Sequence, residues 1–342
     1  MIRFVLTALF LTVGTIAGQA QSVESFYAGK QLTLITSFAP GGLNDIAGRL
    51  VSRHLRRFIP GQPGIVVQNM PGAGGLVAAN YLFNVANADG TVIGQLDRSV
   101  AQSGLRGAPN VKFDPLRFTW LGSLSTYGSE AYVLWVNKAH PAQTVADLGK
   151  PGMRTRLGAV TGGTNSLISL VAKNVLGLNV EVISGYAGGA AIWLGMLNGE
   201  LDGQIIGITS VKAEHPELWR DQALRGLVQF GRADRLASIA QIPTGRELAK
   251  NDSDRALVEF AELPFLTSLP FVAPPNVPAD RAGALQAAFV KMAADPEFLA
   301  EAEKLNVELS PASGENILTV LRKSAGVPKE VIARYNGIVD AK

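Results

Sequence analysis

The chain has 342 residues, 47% hydrophobic and 17% charged, with 31 Lys and Arg against 28 Asp and Glu. That apolar fraction excludes intrinsic disorder, and a formal charge of +3 leaves no polybasic surface for nucleic acid. With no cysteine and 3 histidines, there is little material for zinc, iron–sulfur or thiol chemistry.

Arg3, the apolar stretch Phe4 to Ala17 and the small-x-small run Gly18-Gln19-Ala20 have the form of a cleaved export signal over residues 1–20. The alternative, a membrane anchor, needs an apolar run of about 20 residues, and this one is shorter. No cysteine follows for lipid attachment, so an exported, soluble chain beginning near Gln21 is expected. Beyond it, strand and helix patterns alternate. Leu32 to Thr36 is β-branched and apolar, and from Asp45 the period changes to helical, with Asn44 or Asp45 as N-cap. Ile65 to Val67 and Thr91 to Leu96 repeat the strand signal, with a helical run between them. This spacing predicts βαβ units in an α/β fold with parallel strands.

A second block with the same grammar begins near Tyr132 to Val136. Strands are expected at 156–160, 180–183, 201–208 and 224–230, with helices after residue 166 and over 190–198. Leu269 to Ala273 reads as extended, and Pro274-Pro275 ends it. Four helices follow, over 282–293, 296–305, 314–324 and 328–335.

Three junctions between strand and helix carry small residues and glycines: Pro40-Gly41-Gly42-Leu43-Asn44-Asp45, Pro71-Gly72-Ala73-Gly74-Gly75 and Gly162-Gly163-Thr164-Asn165-Ser166. At the carboxyl ends of parallel strands such loops aim backbone N–H groups and helix N-termini at a common crevice, which suits an anion. Taken singly, each also reads as a tight turn with no ligand. Dinucleotide and Walker fingerprints are absent, as are the Gly-x-Ser-x-Gly and His-Glu-x-x-His motifs. No catalytic residue, metal site or cofactor is therefore expected. His54, His140 and His215 read as solvated surface residues. Asp45, Asp97 and Asp114 remain formal candidates for a general base, although caps and Asx turns account for loop aspartates.

The runs Phe38-Ala-Pro-Gly-Gly-Leu-Asn-Asp-Ile-Ala-Gly-Arg49, Val66-Val-Gln-Asn-Met-Pro-Gly-Ala-Gly-Gly75 and Asp89-Gly-Thr-Val-Ile-Gly94 are specific in order and spacing. With them the chain resembles the periplasmic solute receptors of tripartite tricarboxylate transporters, the Bug receptor family. Val182 to Gly189, Gly199 to Asp202 and Phe271 to Pro278 extend the likeness over nearly all of the chain. The resemblance implies a two-domain periplasmic binding protein of type II, a Venus flytrap with hinge strands. Its first domain would take residues 22–125 plus 266–342 and its second residues 126–265.

The same resemblance implies a small organic anion, a carboxylate, held between the domains by amides, small polar groups and water. Gly41, Gly42, Leu43, Asn44 and Asp45 match the first ligand loop, and Ala73 and Gly74 the second. Gly162, Thr164, Asn165 and Ser166 match a domain-two loop, Tyr186 an aromatic turn, and Thr209 and Ser210 a strand end. Asp202 begins its strand and is expected to be structural. Asp97-Arg98-Ser99 departs from the family's small residues. Arg98 would hold a ligand carboxylate or pair with an acid at the rim. Asp45 would cap its helix or accept from a ligand. The expected partners are the membrane subunits of a tripartite transporter, or alternatively a sensor kinase, with a monomeric receptor. An exported enzyme of the same build is the third reading.

Overall fold

The computed structural model describes residues 22–161, 163–186 and 188–340. The expected export signal and Gly162 lie outside the described residues. Among the described residues, eleven strands form two mixed sheets. They are β1 (Gln31–Thr36), β2 (Gly64–Asn69), β3 (Val92–Gln95), β4 (Thr119–Ser123), β5 (Tyr132–Asn137), β6 (Thr155–Ala159), β7 (Val180–Ser184), β8 (Gly203–Gly207), β9 (Leu224–Phe230), β10 (Pro270–Ala273) and β11 (Ala312–Ser313).

The first sheet has the order β11-β4-β10-β3-β1-β2, and the second β7-β6-β8-β5-β9. In the first, β2, β1 and β3 are parallel, and β10 lies antiparallel between β3 and β4. In the second, β7, β6 and β8 are parallel, and β5 lies antiparallel between β8 and β9. Both β5 and β10 are the first strands the chain forms after passing from one sheet to the other. The two passages are joined, because Leu124 N–H donates to the Leu269 carbonyl at 3.0 Å and Ser268 N–H to that of Ser125 at 3.0 Å. A third segment lies alongside them, with Ser310 Oγ accepting from Thr126 N–H at 2.9 Å and from Gly128 N–H at 3.1 Å.

Alternation along the strands decides what each sheet face buries. In β1, Leu32 and Leu34 face a core with Leu50, Val51, Leu55 and Phe289, whereas Ile35 faces one with Leu82, Trp120 and Ile317. In β5, Leu134 and Val136 join Leu157, Ile205 and Val228, and Val133 and Trp135 join Ile192 and Trp193. The last helix, Lys329–Val339, buries Val331 and Tyr335 against the second sheet's core, with Tyr335 5.2 Å from Phe260. Its Tyr335 hydroxyl donates to Gln102 Oε1 at 3.1 Å, and Gln102 Nε2 donates to the Phe260 carbonyl at 2.5 Å. The helix Ser99–Leu105 is thereby tied to the terminal helix and to Asp252–Ala261.

Two histidines are not solvated. His54 is 7% exposed, with Nε2 2.6 Å from Glu301, and His140 is 8% exposed and bonded to Thr155. The arginines around His54 and the proline after His140 suggested surface. The helix Pro296–Lys304 covers the first, and the loop entering β6 covers the second. Asp202 is structural, accepting from Arg156 N–H at 2.7 Å and from its guanidinium at 3.0 and 2.8 Å.

Gly203 follows Asp202 in the strand between β6 and β5, and a Cβ there would run into the Trp135 carbonyl. That backbone belongs to the sheet ladder and has little room to give. We expect Gly203→Ala to cost about 1–3 kcal/mol, as overpacking does in cores. Denaturant unfolding checks this, and an unchanged midpoint would contradict it.

Candidate functional site

A cavity of about 430 Å³ opens between the two sheets and takes its lining from both. A larger one, about 720 Å³, lies wholly on the second sheet's side among Trp135, Trp219 and Ile242 and contains none of the expected site residues. The smaller cavity is the candidate site, because strand ends and helix starts converge on it.

The first glycine loop is built from below. Helix Leu43–Leu55 starts with Gly42 as N-cap, so it begins before the expected Asn44 or Asp45 cap. Asp45 turns back into the loop and is 2% exposed. Its carboxylate accepts from Gly41 N–H at 2.9 Å, Arg49 Nε at 2.9 Å and Asn69 Nδ2 at 2.7 Å. The Arg49 hydrogen bond leads in holding its pKa down at about 2. Asn69 Nδ2 also donates to the Phe38 carbonyl at 2.9 Å, closing the loop on the end of β2. From the other side, buried Gln95 accepts from Thr36 Oγ1 at 2.9 Å and donates to the Asn44 carbonyl at 2.8 Å. Leu43 and Asn44 are thereby presented to the cavity, and the N–H groups of this first turn have no intrahelical acceptor.

Arg98 follows β3. Asp97 Oδ1 accepts from Ser99 N–H at 2.8 Å and from Ser99 Oγ at 2.5 Å, an Asx turn that leaves Arg98 at the start of the next helix. The Arg98 guanidinium donates to the Tyr127 and Tyr132 hydroxyl oxygens, each at 3.3 Å. It also stands over the rings of Tyr132 and Phe265, at 5.5 and 5.4 Å. No carboxylate is paired with it among the described residues. Because the arginine donates to both phenol oxygens, each hydroxyl proton remains available to a ligand.

The second glycine loop supports this turn. Gly75 has φ 88°, and a Cβ there would come within 2.9 Å of Asp97 Cβ and 3.0 Å of Val100. Ala73 and Gly74 are exposed and do not line the cavity.

From the second sheet come Gly163 and Thr164, at the start of helix Thr164–Asn174, Gly207 at the end of β8, and Thr209 and Ser210 after it. Asn165 faces its own loop, with Oδ1 accepting from Val160 N–H at 3.3 Å and Ser166 N–H at 2.9 Å. Ser166 is buried, and Tyr186 packs on the core around Trp193. Gly41 and Gly42 are exposed beside the cavity without lining it.

Tyr127, Glu130, Tyr132 and Glu308, which line the cavity, were not expected from the sequence. Glu130 is 4% exposed, and Oε1 accepts from Ala131 N–H at 2.9 Å and Ile208 N–H at 2.8 Å, while Oε2 accepts from Thr209 N–H at 2.8 Å. Tyr127 and Glu130 sit on the passage from β4 to β5, Tyr132 begins β5 and Glu308 lies on the segment before β11, where no periodicity marks a functional side chain.

A family model described as the tripartite tricarboxylate transporter family receptor matches residues 48–336. The chain belongs to this receptor family. Its relatives include a UPF0065 protein of Bordetella pertussis, 24% identical over 326 residues, covering 93% of this chain and 94% of that protein. A TctC solute binding protein from Polaromonas superposes with TM-score 0.69 at 18% identity, over 92% of this chain and 100% of that one. MatC from Rhodopseudomonas palustris with bound malate gives TM-score 0.56 at 18% identity, over 91% and 99%. An R. palustris protein with adipate gives 0.58 at 20% identity, over 91% and 96%. Among the described residues, no helix is long and apolar enough to cross a membrane.

The Asp45 network makes a pH-dependent prediction. A carboxylate whose pKa falls on folding contributes stability above its unfolded value, near 4, and loses it as pH drops towards about 2. With Arg49 half exposed, Asp45→Asn should cost roughly 1–2 kcal/mol at neutral pH. That difference should shrink below pH ~4. Unfolding curves across pH check this, and a pH-independent difference would contradict it.

Proposed function

We propose that this protein is a periplasmic receptor that closes on a small organic anion, a carboxylate, and delivers it to the membrane subunits of a tripartite transporter. The observation that carries the reading is Arg98. A guanidinium without an acid partner stands in the cavity between the sheets, beside the N-termini of helices Leu43–Leu55 and Thr164–Asn174. Helix starts and guanidinium forks both favour carboxylates. Family membership supports transport as the purpose of capture, and relatives with bound malate and adipate support the ligand class.

In this reading Arg98 and the Tyr127 and Tyr132 hydroxyls hold the carboxylate, with Leu43, Asn44, Thr164, Thr209 and Ser210 around the rest of the ligand. The domains meet at the passages near residues 125 and 266, and closure bends these joined segments. The terminal helix Lys329–Val339, expected with the first domain, packs on the second sheet's core. It would therefore move with the second domain. Catalysis has no part in this function: Asp45 and Asp97 serve their own loops, and binding alone accounts for the groups facing the cavity.

Titration calorimetry of a carboxylate panel against Arg98→Ala tests the proposal. Losing a charge-assisted contact should weaken the best ligand by about 1.5–3 kcal/mol, or roughly tenfold to over a hundredfold. Unchanged affinity would remove Arg98 from the site.

A further inference from the structure

We infer that Glu130 is a built-in carboxylate that restricts this receptor to ligands carrying a single negative charge. The inference rests on the carboxylate-receptor reading above and narrows its substrate class.

Where β8 ends, the N–H groups of Ile208 and Thr209 lie at the cavity's edge, and Glu130, which lines it, already holds both. Its carboxylate takes a third N–H, that of Ala131, and is almost fully buried. The residue is held in turn by its own backbone, whose carbonyl accepts from Arg232 at 2.8 Å. A ligand carboxylate could use the Ile208 and Thr209 donors only by displacing Glu130, leaving a buried charge without its hydrogen bonds. The second sheet's side of the cavity therefore presents a satisfied anion to the ligand.

The other acids lining the cavity act in the same direction. Among the described residues lining the cavity, Arg98 is the one cation, and Asp97, Glu130 and Glu308 are the acids. Glu308 Oε1 accepts from Ser129 Oγ at 2.8 Å, while its Oε2 is buried and has no partner. One carboxylate on Arg98 is neutralised. A second would share the cavity with Glu130 and Glu308 and find no second cation among its lining residues, and such like-charge contacts select against a partner. A neutral or ammonium group there avoids the repulsion, and an ammonium would satisfy Glu308 Oε2. Relatives with bound malate and adipate hold diacids, so this chain would differ from them in ligand charge.

The test is calorimetry on the full mature chain. The probes are straight-chain monocarboxylates, their ω-amino analogues and the dicarboxylates of matching length, from succinate to suberate. The tightest ligand should be singly carboxylated, and the diacid of the same length should bind about tenfold more weakly or worse. Glu130→Gln should narrow that gap by about tenfold, because its charge is the cause. Should that variant fold poorly for want of its helix cap, Glu308→Gln must narrow the gap in the same direction. Diacids binding as tightly as monoacids, or a gap unchanged in the folded variants, would overturn the inference and leave the carboxylate receptor standing. Binding of neither class at any length would overturn both.

Discussion

The structure depends on one constraint of chain path: neither sheet is complete without a strand delivered from the other side. β10 enters the first sheet between β3 and β4, and β5 enters the second between β8 and β9, each antiparallel to its neighbours. The passages leading into these strands are hydrogen-bonded to each other, so the two halves are joined by paired extended chain. Extended segments bend through small backbone changes at many residues and resist sliding apart. A cavity between halves joined in this way can open and close while its walls remain intact.

That path also explains where the chemistry sits. Tyr127 and Glu130 lie on the first passage, Tyr132 begins the strand it leads into, and Phe265 lies just before the second. Their aromatic rings pack together, with Phe265 5.0 Å from Tyr127 and 4.8 Å from Tyr132. Arg98 comes from the first sheet and rests on this cluster. The cation therefore stands beside the passages between the sheets, held by phenol oxygens and ring faces and paired with no carboxylate among the described residues. Glu130, on the same passage, faces the other way and satisfies the start of the helix after β8. Within a few residues, one segment places a donor-rich position beneath the first sheet and a satisfied anion at the second.

Much of the architecture was legible in the sequence, because buried strands are β-branched runs and helices carry a period. The strands at 31–36, 64–69, 92–95, 132–137 and 224–230 fall where those runs occur. Thr119–Ser123 was not read as a strand. Its Thr-Trp-Leu-Gly-Ser run is short, and its pairing with β10 joins residues far apart in the chain. The site was only partly legible. Glycine loops marked two of the helix starts and Arg98 stood out as a departure, since both signals are local. Asp45 carried two readings, and the difference lay in Asn69 and Arg49, which bring its carboxylate into the loop. Glu130 and Glu308 had no local signal, because each acquires its meaning from a group on a distant segment.

The central claim is that a ligand carboxylate is held at the hinge by Arg98 and the two phenols. It is tested most directly by a crystal structure of the protein with its tightest carboxylate bound. The account predicts one carboxylate within hydrogen-bond distance of the Arg98 guanidinium or the Tyr127 and Tyr132 hydroxyls, with Glu130 still on the Ile208 and Thr209 amides. A carboxylate seated on those amides with Glu130 displaced, or bound away from Arg98 altogether, would contradict it.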